Sequence, residues 1–441
     1  MSFERILFVT VGGSHRPIVR AIDDLQPDFV CFICTDRDPA SGQKGSRQQI
    51  EGTGNVIAEA HGGPLTLPNI PTQCGLKPEQ YEVLLVEADN LDDISDKART
   101  RITTLSEQHP GASLYADYTG GTKSMTAGLV LAAVDDPRVE LTLVTGTRNT
   151  LLSVHDGSEA LAPAEIDRIR LDRRMEPHLQ AWHHHGYGEA AAGLQRIPTP
   201  RNSELRTRLL TARDLSRAFD AWDRFDHAGA LQILQPYQAR LGAHFGQGLT
   251  FLRLLADNAE TNPRTEPARL LDLWLNAERR AARHRYDDAV ARTYRLLEWT
   301  AQWILRRQAG IDTSNLQPEE IPSGFDIPPG RHGKRQAGLF LAWQLVRELG
   351  HGEPVHFMKA EETSLRGHLD ARNVSILAHG YMPVRAEDWV PIQKWFSERF
   401  IPMLQAEVDT VGRPVLPRQL PTCLEDTIQA LKNEPVPRES A

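Results

Sequence analysis

The sequence predicts a doubly wound α/β domain with a parallel sheet, followed by an all-α region. Three observations carry this. Up to about residue 155, short and nearly continuous apolar runs alternate with helical patterns, as parallel strands covered on both faces require. Past Met175 the strand-like runs stop and long Ala/Leu/Arg helical patterns take over. Two glycine loops stand where a strand hands over to a helix, the order expected of βαβ units.

The strand candidates are 5–11, Phe29–Thr35, 82–86, 113–118 and Val139–Thr145, with helices over 93–108 and 122–134 between them. The opening residues carry an acid and a base ahead of only about six apolar positions. That is a buried first strand rather than a signal peptide. Residues 42–78, rich in Gly and Pro, form an irregular excursion around a short helix. In the helical half an echo of aromatic-x-x-Ala-x-Ala occurs at Tyr187/Ala190/Ala192, Phe225/Ala228/Ala230 and Tyr286/Ala289/Ala291. Its irregular spacing means helix-hairpin packing, not a repeat array. Residues 310–335 read as a long loop, and the end of the chain past Val411 as loosely ordered.

With 441 residues, 40% of them hydrophobic and 24% charged, the chain can fill two or three cores. No run approaches the ~18 apolar residues of a membrane helix. Four cysteines exclude a disulfide scaffold and fit a reducing, cytoplasmic setting. Cys31 and Cys34 form a CxxC, but three residues apart on a strand they face opposite ways. They read as core cysteines. A net charge of −8 leaves any RNA site to be local.

The first loop is Thr10-Val-Gly-Gly-Ser-His15 and the second Asp117-Tyr-Thr-Gly-Gly-Thr-Lys-Ser124. Both lie at carboxyl ends of parallel strands, where open α/β sheets bind ligands. Glycine lets backbone N–H groups approach an anion, and the next helix N-terminus adds its dipole. Thr119, Thr122 and Ser124 add hydroxyls and Lys123 a charge. Neither loop is a Walker A or a GxGxxG motif, which disfavours a P-loop ATPase or a dehydrogenase. A phosphate-bearing ligand is expected.

These two loops together resemble the CARF sensor domain of type III CRISPR accessory proteins. The resemblance implies a Rossmann-like domain that dimerises and binds a cyclic oligoadenylate across the dimer interface. Gly12, Gly13, Ser14 and His15 would line one side, and Thr119, Gly120, Gly121, Thr122 and Lys123 the other. Thr10, Thr35 and Asp36, at neighbouring strand ends, are further candidates.

In the second half, Arg372, Asn373, Ser375 and His379 form the other constellation. On a helix, Arg372 and His379 lie about 20° apart in azimuth and roughly 10 Å apart along the axis. Ser375 shares their face, with Asn373 beside it. Gly380 suits a C′ position, so His379 would sit in the last turn, where the dipole favours imidazolium. Such a pair suits metal-free RNA cleavage, His moving a proton and Arg stabilising phosphoryl charge. An exposed Arg with a helix-capping His fits the same residues, and on their own both readings stand.

The Arg-Asn-x5-His spacing resembles the catalytic motif of HEPN ribonucleases, and residues 270–305 resemble the helical region of a CARF subfamily. CARF joined to HEPN is the architecture of cyclic-oligoadenylate-activated CRISPR ribonucleases, in which two protomers pair to form one composite site. The resemblance implies residues 1–155 as CARF, 156–260 as helical connector, 261–410 as HEPN-like and 411–441 as tail. It also implies a homodimeric endoribonuclease of single-stranded RNA, with cyclic oligoadenylate as allosteric activator, no metal cofactor and no membrane contact. A non-catalytic CARF sensor is the alternative from another class. His183–His185 and Arg279, Arg280, Arg283 and Arg285 read as solvated surface, the basic loop 330–335 fits an RNA-phosphate contact and a solvated loop equally, and no metal-ligand set is seen.

Overall fold

The computed structural model describes residues 3–37, 45–59, 63–145, 148–150, 153–154, 160–239, 241, 243–330, 333–373, 381–412 and 418–427. The chain forms two compact units, 1–173 and 174–441. In the first, the main sheet comprises β1 (Arg5–Thr10), β2 (Phe29–Thr35), β3 (Tyr81–Val86), β4 (Ser113–Asp117), β5 (Val139–Thr145) and β6 (Ala160–Pro163). The strand order is β6-β5-β4-β1-β2-β3, parallel except for the antiparallel β5–β6 pair. The five expected strands are present. The sixth lies past residue 155, so the sheet reaches beyond the expected edge of the first domain.

Helices α1 (Arg16–Leu25), α2 (Leu91–Gln108) and α3 (Lys123–Asp135) connect and cover these strands. The Asn90 side chain caps α2 by accepting from the Asp93 N–H, and Asp92 and Asp93 add negative charge to its first turn. β1 and β2 are buried almost throughout because both sheet faces are covered. Cys31 sits in one face's core and Cys34 in the other's. Burial pushes the Cys34 thiol up to about 12, so it is an inert core residue.

The second unit is helical. Its longer helices are α4 (Asp167–Leu179, entered from the first unit), α5 (Tyr187–Gln195), α6 (Ser203–Asp223), α7 (His227–Leu234), α8 (Ala243–Ala256), α9 (Thr265–Ala282), α10 (Tyr286–Ala309), α11 (Leu339–Leu349), α12 (Glu353–Asn373), α13 (Ala386–Trp395) and α14 (Ile401–Asp409). Aromatic rings fill its core: Trp274 stacks on Phe396 at 5.4 Å, and Trp343 packs against Phe357 and Phe400. Among the described residues, no helix is long and apolar enough to cross a membrane.

Two sequence readings are corrected here. Arg279 and Arg280 are not a solvated face. Both are buried, with Arg279 Nε donating to Asp223 Oδ1 at 2.7 Å and Arg280 pairing with Asp223 Oδ2 at 2.8 Å. Asp272 joins them, 3.5 Å from Arg279 and 3.2 Å from His227 Nε2. Arg279 Nη1 also donates to Gln419 Oε1, which brings the segment after residue 417 against α9. His185 is likewise buried, its Nδ1 2.9 Å from the Tyr187 hydroxyl, while His183 and His184 stay exposed. Desolvation, with the Arg279 charge adding to it, lowers its imidazole to about 4.

The helix-hairpin echo is real, but its middle copy is shifted by two residues. His185, Phe225 and His284 each take a left-handed backbone (φ 56, 65 and 56) two residues before the next helix. In each turn the following N–H reaches back to the fifth residue before it: Gly186 to Ala181, Asp226 to Ala221, Arg285 to Arg280. Phe225 therefore matches the two histidines, and His227 matches Tyr187 and Tyr286. Ala190, Ala230 and Ala289 occupy the shared buried position.

Candidate functional site

Strands β1, β2 and β3 run outward to one side, and β4, β5 and β6 to the other. The reversal falls between β1 and β4, the topological switch point where such sheets bind ligands. The two glycine loops follow these two neighbouring strands, so the topology alone makes them touch. A Cβ on Gly12 would lie 2.5 Å from the Gly121 nitrogen, and Gly121 itself has φ +86. At both positions only glycine fits without a shift.

The polar side chains hold the loops rather than face outward. Thr10 Oγ1 donates to the Gly120 carbonyl at 2.6 Å, and Thr126 Oγ1 to the same oxygen at 3.0 Å. Asp117 is fully buried at the end of β4 and accepts from Thr119 N (3.1 Å), Thr119 Oγ1 (3.2 Å) and Thr142 Oγ1 (3.4 Å). Desolvation raises its carboxyl to about 6, against the pull of these hydrogen bonds. Thr119 Oγ1 in turn accepts from Val144 N at 2.7 Å. Thr122 Oγ1 caps α3 by accepting from Met125 N, and Ser124 Oγ donates to Asp89. These hydroxyls were expected to meet an anion; here they shape the backbone that would.

What remains for a ligand is backbone and charge. Among the described residues, no acceptor takes the N–H groups of Gly12, Gly13, Ser14, Gly120 or Gly121. Gly13 and Ser14 are exposed, and Lys123 is exposed at the start of α3. His15 precedes α1 without a side-chain capping bond. Burial, then the Arg16 charge, lowers its imidazole below the ordinary value, leaving a neutral ring and an uncapped helix start. Thr35 and Asp36 turn their polar atoms elsewhere: Thr35 Oγ1 accepts from Ser46 N, and Asp36 pairs with Arg47 at 3.0 Å. They brace the turn that carries Gln49, whose Nε2 donates to the Gly12 carbonyl at 2.6 Å. Gln49 and Asp117 were missed as site residues. For Asp117 the signal was a carboxylate closing an otherwise apolar strand; Gln49 left none.

In the helical unit, Arg372 and Asn373 are the last residues of α12. Ser375 and His379 lie outside the described residues. One turn before Arg372 stands His368, its ring 4.6 Å from Trp395 and its imidazole lowered by burial. Glu361, a further two turns back, accepts from Trp395 Nε1 at 2.8 Å. Among the described residues, no three His, Cys, Asp or Glu side chains are grouped to hold a metal.

Fold and loops together define a class of protein: a Rossmann-like domain whose two glycine loops meet at its switch point, joined to a helical domain. Residues 258–401 match the family model of the Csm6 HEPN domain. The fold is similar to that of Enterococcus italicus Csm6, solved bound to cyclic hexa-2′-fluoro-hexa-dAMP. The alignment has a TM-score of 0.53 and 13% identity over 94% of this chain and 96% of that one. Can2 from Sulfobacillus thermosulfidooxidans, solved with cyclic tetra-adenylate, aligns over 59% of this chain and 69% of that one at 16% identity, with a TM-score of only 0.20. No curated protein matches. The chain resembles the CARF–HEPN proteins of type III CRISPR systems in both of its units.

Proposed function

We propose that the chain is an endoribonuclease of type III CRISPR defence, switched on by a cyclic oligoadenylate and acting on single-stranded RNA without a metal. The observation that carries this is the pairing, in one chain, of two contacting glycine loops at a switch point with a domain matching the Csm6 HEPN family. A symmetric ring ligand suits a two-fold axis, and a homodimer provides one. The phosphates would meet the N–H groups of Gly12, Gly13, Ser14, Gly120 and Gly121, with Lys123 supplying positive charge.

In the chemical step the ribose 2′-oxygen bonds to its own phosphorus as the P–O5′ bond breaks. His379 moves the proton and Arg372 stabilises the charge growing on the phosphoryl oxygens. The products then carry 2′,3′-cyclic phosphate and a free 5′-hydroxyl. Titrating the purified protein with cyclic oligoadenylates of different ring size over labelled RNA tests the reading. Cleavage should depend on one ring size and survive EDTA. His379→Ala and Arg372→Ala should each lose roughly 10²- to 10⁴-fold in rate while binding activator as before. Tight activator binding with no RNA cleavage would leave the non-catalytic sensor instead.

A further inference from the structure

Described residues that flank the candidate catalytic segment in sequence line a cavity of about 520 Å³, within the size range of small-molecule sites. Its walls are largely apolar, from Val290 on α10, Met382, Pro383 and Val384 on the following loop, and Ile392 on α13. His368 and Arg385 are polar members of the lining, with Glu387 and Asp388 at its acidic side. The sequence ties this cavity to the Arg–His pair from both directions. His368 precedes Arg372 by four residues on α12, the same helix face and about 6 Å along the axis. Tyr381 follows His379 by two residues, so their Cα atoms lie within about 7 Å whatever the conformation between them.

Tyr381 is 91% exposed and Met382 63%. Among the described residues, nothing covers this large aromatic ring, which stands two residues from a candidate catalytic residue in sequence. A ring face takes any nucleobase, and base–aromatic stacking is how proteins hold single-stranded nucleic acid without strict sequence preference. Burial lowers the His368 imidazole below its ordinary value; in the neutral ring one nitrogen donates and one accepts, which suits a base edge.

We propose that Tyr381 and the adjoining cavity form a nucleobase subsite, Tyr381 stacking a base of the RNA next to the scissile phosphate and His368 meeting a base edge in the cavity. This rests on the ribonuclease reading above. Arg385, which is 3.6 Å from Glu387, adds a positive charge to the lining.

The test uses the full chain with its activator and two RNAs of one sequence, one cleavable and one fully 2′-O-methylated. Tyr381→Ala should raise KM for the first and Kd for the second on the order of tenfold, with kcat little changed. Tyr381→Phe should restore both, since the ring and not the hydroxyl is at work. Light scattering should give the same mass for all variants. Unchanged KM and Kd in Tyr381→Ala, with wild-type cleavage intact, would overturn the subsite while sparing the ribonuclease reading. A halved mass would reassign the Tyr381 face to a contact between copies. Wild-type protein that neither binds nor cuts RNA would remove the ribonuclease reading and the subsite with it.

Discussion

At the carboxyl edge of the sheet, buried polar side chains hold a loop so that its backbone faces outward; in the heart of the helical unit, they hold one another. Asp117, Thr119 and Thr10 use their hydrogen bonds to fix the Gly120–Gly121 turn. Asp223, Asp272, Arg279 and Arg280 use theirs to join α6 to α9. Among the described residues, the first arrangement leaves loop N–H groups without an acceptor, and the second spends its carboxylates on the helices' own arginines. The same chemistry thus serves binding in one place and assembly in the other.

The sharpest way to break this contrast is Asp223→Ala. It leaves Arg280 buried without its carboxylate and Arg279 with only Asp272 at 3.5 Å, a loss of about 3–5 kcal/mol. Urea denaturation should show that destabilisation in the helical unit, with activator affinity of the properly folded fraction unchanged. A cost below about 1 kcal/mol, the range of surface pairs, would mean that Asp223 does not join α6 to α9. Next in size is Gly12→Val. Its side chain must enter the space of the Gly121 backbone, and activator affinity measured by calorimetry should fall on the order of a hundredfold, about 2.7 kcal/mol. Ser14→Ala, which removes one exposed hydroxyl, should cost at most about tenfold. Equal effects would show that side chains, not backbone, carry the ligand.

The last effect is a pH dependence. Burial raises the Asp117 carboxyl to about 6 in the folded chain against 3.8 for a free one. The folded state therefore binds more protons than the unfolded one between those values, and the stability contribution falls as pH rises from about 4 to 6. Asp117→Asn should melt near wild type at pH 4 and above it at pH 7. Yet it should bind activator several-fold more weakly at pH 7, because an amide cannot accept all three donors. Wild-type affinity should weaken in the same direction below pH 6. Melting curves and calorimetry at both pH values read the two signs separately.

The sheet and its loops were legible in the sequence because their determinants are local. Parallel strands buried on both faces read as continuous apolar runs, and glycines mark the strand ends. β6 escaped notice since Ala160-Leu161-Ala162-Pro163 has no β-branched residue and lies at the sheet edge, where proline is tolerated. Arg279 looked solvated because its counter-ion Asp223 stands 56 residues away. The Thr119 hydroxyl likewise gave no sign that Val144 would claim it. The Arg372/His379 motif was readable as spacing, but a spacing carries no packing information.

The three left-handed turns and the Asp223 cluster bear on how such a chain can be inherited. The family match begins at residue 258, yet α9 inside it needs Asp223 before that point and Gln419 beyond its end. A recombination that moved only the matched segment would keep the Arg279–Asp272 contact but carry Arg280 away from the Asp223 carboxylate that meets it. A fusion that keeps the whole cluster must cut upstream of α6. The seam that spares it therefore lies well before the segment the family model matches.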